Sequence, residues 1–223
     1  MSLYKKIILL IFILAVPVGV ALFLDLFGEN AYTLPVYFAH DSVRITGNKY
    51  KITAAETIPA FKFIDQDSNQ LSSEQYKGRI FVADFFFTRC PDICPKMTTQ
   101  LTRVQEAFAN DTTIKIISFT VDPKNDTPDV LKKYATLYKA NPVVWRFATG
   151  NKDSLYALAL KGFKISALED TTQLPSFVHS EKLVLVDKQG WIRGYYNGTK
   201  REDVDKLILE INVLKKIYDN ENQ

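Results

Sequence analysis

The chain has 223 residues, 47% of them hydrophobic, with a formal net charge of +3 and only two cysteines and two histidines; this is apolar material enough for one sizeable core. The lysine pairs Lys132–Lys133 and Lys215–Lys216 fall on helical patterns and read as solvated faces. No basic stripe interleaved with aromatics occurs, and neither "GNKYK" nor "GRI" has the spacing of a phosphate-cradling loop, so a nucleic-acid partner is not expected.

In chain order, a short basic start, residues 1–6, precedes eighteen uncharged residues from Ile7 to Leu24. That run is long enough for a membrane span. A signal peptide has an apolar core of roughly 7 to 15 residues ending at a small-residue cleavage site. The run here is longer and continues into "DLFGEN", which favours an uncleaved anchor over residues 7–27. Lys5 and Lys6 precede it and stay inside by the positive-inside rule, so everything after residue 27 faces outward. Residues 28–57 are polar and weakly periodic, a linker with one short strand near Val36–Phe38; His40, in "FAHDS", reads as a solvated loop residue.

Residues 58–223 form the folded domain. "AFKFIDQDSNQLSSEQY" alternates around a turn and predicts a hairpin, followed by a buried strand over Arg79–Phe87. Met97, Leu101, Val104 and Phe108 recur at helical spacing in the next segment. Then come the strand "TIKIISFTVD", the helix "TPDVLKKYATLYKA", the strand "VVWRFAT" and the helix "KDSLYALALKG". A hairpin, "KLVLVDKQGWIRGYYNG", turns near Gly190, and the helix "REDVDKLILEINVLKKIYD" follows. Strands alternating with helices and closed by a hairpin and a helix predict an α/β domain with a mixed central sheet flanked by helices, the order of the thioredoxin fold.

Both cysteines sit in "FTRCPDICPK", in the turn between the strand ending at Phe87 and its helix. If Cys94 and Pro95 open that helix, the Cys90 and Cys94 side chains lie one turn apart on one side. Free N–H groups at a helix start favour thiolate, so both sulfurs should be reactive. A disulfide staple, a redox dithiol and half of a metal site are the three readings. A staple closing so short a loop constrains the unfolded chain little. Two thiolates at this spacing suit a soft metal, Cu(I) above all, whose third ligand is commonly imidazole. His179, in "PSFVHSEKLVLVD", precedes a strand of the central sheet, and in a thioredoxin-like fold its loop faces the cysteine turn. A ligand and a hydrogen-bonded loop histidine both fit that position. Met97 reads as core rather than as a fourth ligand. The T-x-x-C motif of peroxidases is absent, since Thr88 precedes Cys90 by two.

"FFFTRCPDICPKM", then "TVDPKNDTP", then a lone histidine ahead of "LVLVDKQG", in a domain tethered by one N-terminal span, resemble the SCO/SenC family of copper proteins over about residues 58–218. The resemblance implies one copper ion, Cu(I) or Cu(II), bound by Cys90, Cys94 and His179, with Asp122 beside the site. It implies a metallochaperone rather than an enzyme, in the bacterial inner membrane with a periplasmic domain. Such a protein assists assembly of the binuclear copper site of cytochrome c oxidase. Its partners would be the oxidase's copper-site subunit, a copper donor and a thiol reductant. The alternative is a thiol–disulfide oxidoreductase that reduces the copper-site cysteines of that subunit. Two positions depart from the family pattern. Arg89 stands where many members have histidine or a small polar residue; it would favour the thiolate or bind a carboxylate. Val178 stands where many have Asp or Asn, which leaves Asp122 as the candidate to orient His179.

Overall fold

The computed structural model describes residues 3–27, 33–46, 49–165 and 180–221. The chain divides between Thr33 and Leu34 into two compact units. The first holds helix α1, Leu3–Phe27, with Pro17 inside it. Its segment Leu3–Phe23, 21 residues, is long and apolar enough to cross a membrane, at about 1.5 Å of rise per residue.

The second unit is built on a seven-stranded sheet in the order β4-β3-β7-β6-β5-β8-β9. Its strands are β3 (Lys62–Asp65), β4 (Gln70–Ser72), β5 (Ile80–Phe86), β6 (Ile114–Thr120), β7 (Trp145–Thr149), β8 (Lys182–Val186) and β9 (Ile192–Asn197). β5, β6 and β7 run parallel, while β3, β4, β8 and β9 make antiparallel pairs. Helices α2 (Ile93–Ala107), α3 (Pro128–Leu137) and α5 (Arg201–Glu221) cover one face. The other face carries α4 (Lys152–Ala157).

Alternation along β5 explains the two layers. Val82 and Phe86 enter the core under Met97 and Leu101 of α2, whereas Phe81, Ala83 and Phe85 meet Phe119, Leu155 and Phe163 on the opposite face. Met97 is fully buried there, as a core residue. The hairpin expected at residues 60–76 is β3–β4, and the one near Gly190 is β8–β9, with Gly190 at φ 80° in the left-handed region that a side chain resists. The single helix expected over residues 152–162 is instead α4 continued by a π-helical turn, Leu158–Gly162.

The segment expected to be a linker differs most. It holds β1 (Ala39–Thr46) and β2 (Lys49–Ala55), an antiparallel pair forming its own two-stranded sheet, and no strand lies at Val36–Phe38. His40 is exposed on β1 rather than in a loop. The unit begins at Leu34, which is buried. Arg193 fixes this start by donating from Nε to the Pro35 carbonyl (2.8 Å) and from Nη2 to the Leu34 carbonyl (2.9 Å).

Candidate metal centre

β5 delivers the chain to the cysteine turn, and β6 holds its exit in place: the Val121 N–H donates to the Phe86 carbonyl at 2.8 Å. Two residues before the first cysteine, Thr88 is clamped by Asp126. Its N–H donates to Oδ2 (3.1 Å) and its hydroxyl to Oδ1 (2.5 Å), while the Thr120 hydroxyl also donates to Oδ2. Asp126 is fully buried. The Cys90 N–H then closes the turn on the Phe87 carbonyl at 3.2 Å.

α2 begins at Ile93, so Cys94 and Pro95 occupy its first turn. Proline is tolerated there because the first N–H groups of a helix have no intrahelical acceptor. Asp92, at the cap position, makes no side-chain cap. The Cys90 sulfur takes that role: the Cys94 N–H donates to Cys90 Sγ at 3.3 Å. Both cysteines are free thiols, 7% and 4% exposed.

The two sulfurs are not equivalent. Burial pushes the Cys90 thiol up, but N–H groups of Cys94, Asp92 and Ile93 and the Cys94 thiol outweigh it and bring Cys90 below the usual thiol range. Burial also pushes Cys94 up, and the neighbouring Cys90 sulfur and Asp84 carboxyl leave it well above that range. The expectation that both sulfurs gain from the helix start is therefore corrected: the amides converge on Cys90, and the proton stays on Cys94. Metal coordination removes a thiol proton outright, so the pair remains a fit donor set for a soft ion.

Arg89 points along the surface to Asp122, Nη2 to Oδ2 at 2.8 Å, the second of the two roles open to it from sequence. Asn125 Nδ2 donates to both Asp122 oxygens at 2.9 Å. Burial raises the Asp122 carboxyl, but Arg89 and Asn125 overcome this and hold it below the usual carboxylate range. Among the described residues Asp122 thus bonds Arg89, the neighbour of Cys90, and Asn125.

His179 lies outside the described residues. Among those described, no three His, Cys, Asp or Glu side chains are disposed to hold a metal. β8 pairs with β5 through Val184 and Ala83 and runs antiparallel to it, so the Ser180–Lys182 end of β8 enters the sheet where β5 leaves for the cysteine turn. Sequence reasoning missed Asp126, Thr88 and Asn125. "NDTP" reads as a helix-start signal, and Thr127 does stand at the N-cap position of α3, though without a side-chain cap, but the Asp126 carboxylate faces back across the sheet end.

A model of the SCO1/SenC family matches residues 40–214. The chain is 36% identical over 169 residues to the SCO1 protein homolog of Bacillus subtilis, covering 74% of this chain and 86% of that one. Among solved structures, it resembles BsSco, described as a member of the Sco family of cytochrome c oxidase assembly proteins with a disulfide switch. The TM-score is 0.62 at 34% identity, covering 72% of this chain and 94% of BsSco. The copper-bound structure of Bradyrhizobium japonicum ScoI aligns with TM-score 0.57 at 19% identity, over 71% and 99% of the two chains, a likeness of fold alone. The shared architecture is the thioredoxin-like α/β fold with its mixed sheet.

Proposed function

The chain belongs to the SCO1/SenC family, and on that premise we propose that it is a copper-binding protein of cytochrome c oxidase assembly, held at the membrane by α1. Its copper ion is held by Cys90, Cys94 and His179 and passed to the oxidase's copper-site subunit. Copper is cargo here, supplied by an upstream donor. The observation that carries the reading is the pinned cysteine turn: two buried free thiols, Cys90 just before α2 and Cys94 in its first turn, the former lowered toward thiolate by helix-start amides. Such sulfurs form a soft, preorganised pair suited to Cu(I). The entry of β8 at the same sheet end supports His179 as the third ligand. Lys5 and Lys6 ahead of the apolar run support an outward-facing domain.

A second reading is favoured by the split between the thiols. A Cys90 thiolate can attack a disulfide of the oxidase subunit, breaking its S–S bond and releasing one partner thiolate. Cys94 then gives up its proton and attacks Cys90 Sγ in the mixed disulfide, which frees the second partner thiolate. Two electrons pass to the partner, and the chain is left with a Cys90–Cys94 disulfide, to be reduced by an external thiol.

X-ray absorption and copper stoichiometry on the reduced, Cu(I)-loaded full chain, wild type against His179→Ala, test the first reading. The expected result is one copper with two sulfurs and one light-atom ligand, the light atom and most of the retention being lost in His179→Ala while the dithiol remains oxidisable. An all-sulfur shell in the wild type, or unchanged retention in the variant, removes His179 from the site. Normal oxidase assembly by His179→Ala at low copper transfers the function to the reductase reading.

A further inference from the structure

The parallel strands bring one cation each to the sheet end opposite the cysteine turn. Arg79 directly precedes β5, and Lys115 and Arg146 are the second residues of β6 and β7. In register, Lys115 pairs with Phe81 and Arg146 with Ile117. Side chains alternate along a strand, so all three cations stand on the face that carries Phe81 and Ile117. With Gln75, Tyr76 and the Val143–Val144 turn they line a cavity of about 200 Å³.

Charge in this cavity is poorly balanced. Arg146 Nη1 is paired with Asp65 (2.9 Å) and Asp67 (3.2 Å), but among the described residues no carboxylate pairs with Arg79 or Lys115. Lys115 spends one donor on the Val143 carbonyl at 2.7 Å. Burial, with Arg79 and Arg146 beside it, pulls its ammonium below the ordinary lysine range. Tyr76 is 6% exposed, and its hydroxyl makes no hydrogen bond to any described residue. Burial pushes its phenol up, so it remains a donor. No acid lines the cavity. An adjoining cavity shares Arg79 but is of mixed charge, with Asp111 and Asp219 among Lys77, Lys188 and Lys215, so the unbalanced charge is confined to the first.

Arg79 and Lys115, half-buried beside Arg146 and without carboxylate partners of their own among the described residues, repel one another, and a multi-oxygen anion relieves this most fully, because a guanidinium fork binds two oxygens at once. We propose that this cavity binds a phosphate-type oxyanion, free or as the phosphodiester of a phospholipid headgroup, through Arg79, Lys115, Arg146 and the Tyr76 hydroxyl. For a domain confined to a membrane surface, headgroups are the anions at highest local concentration. Seating the domain by this end would leave the cysteine turn, at the opposite end of the sheet, open to a partner.

Calorimetric titration of the full chain in neutral detergent tests the site, with inorganic phosphate in one arm and monomeric dihexanoyl phosphatidylglycerol in the other. Wild type should bind at least one of them saturably, and Arg79→Gln and Lys115→Gln should each weaken it by about tenfold or more, with copper stoichiometry unchanged as the check on folding. Binding of both ligands assigns a general oxyanion pocket, and binding of the lipid alone assigns a headgroup site; each upholds the proposal. Absence of saturable binding to either ligand, or binding unaltered by both substitutions, overturns it.

Discussion

Two buried carboxylates, Asp187 and Asp126, hold the chain at opposite ends of the sheet, and they are built differently. Asp187, at the end away from the cysteines, accepts from the N–H groups of Gln189 and Trp191 (both 2.9 Å) and forms a buried ion pair with Arg193 Nη1 at 2.8 Å. The same guanidinium reaches the Leu34 and Pro35 carbonyls. Asp126, at the cysteine end, accepts from neutral donors alone among the described residues: the Thr88 N–H and the hydroxyls of Thr88 and Thr120. An ion pair far from the site ties distant segments together. Hydroxyls and an amide next to the site fix position without adding a cation that would repel an arriving metal ion.

Removing each carboxylate should therefore have different consequences. Asp187→Ala leaves Arg193 buried without its partner and should cost about 4 kcal/mol of stability in chemical denaturation, with copper stoichiometry of the folded fraction unchanged. Asp126→Ala orphans three donors and should cost roughly 3 kcal/mol. Unlike the first variant, it should also lose copper affinity at temperatures where it is fully folded, because Thr88 no longer fixes the approach to Cys90. Equal copper affinity in the two variants would erase the distinction between a clamp for stability and a clamp for position.

The sequence carried one side of this comparison better than the other. β5, α2 and the alternation of strands and helices were legible because apolar periodicity is local, and the cysteine turn was legible because it lies between two such segments. The Asp126 clamp was not, since Thr88 and Asp126 meet only when β5 and β6 pair. The family resemblance named Asp122, whose carboxylate bonds Arg89 and Asn125. β1 and β2 escaped notice because the side chains at 39–43 and 51–55 are mostly exposed, so no buried face imposes alternation on them. The difference between Cys90 and Cys94 was hidden for another reason. It depends on which sulfur the helix-start amides face and on Asp84, which approaches Cys94 from within β5.

Asp84 is another buried carboxyl, and as a third member it extends the comparison to a group with fewer donors. At the middle of β5 it accepts from the Ser118 hydroxyl at 2.5 Å, and that hydroxyl in turn accepts from Trp145 Nε1 at 2.9 Å. Burial pushes the Asp84 carboxyl up from 3.8 to about 7, with the Ser118 bond only partly opposing it. The native chain thus keeps a proton that the unfolded chain releases near 3.8. Where the native state binds more protons, stability falls as pH rises, so this contribution should decline from about pH 4 to about pH 7 and then level off. Asp84→Asn keeps an acceptor for Ser118 but cannot ionise. Its stability relative to wild type should improve by about 2 kcal/mol between about pH 5 and pH 8, discounted from the roughly 1.4 kcal/mol per pH unit that a full shift implies. Denaturation curves across that range measure the gap directly. A gap that stays constant with pH would mean that Asp84 is ionised throughout despite its single hydroxyl donor, and the number and charge of donors would then no longer explain how these three buried carboxyls differ.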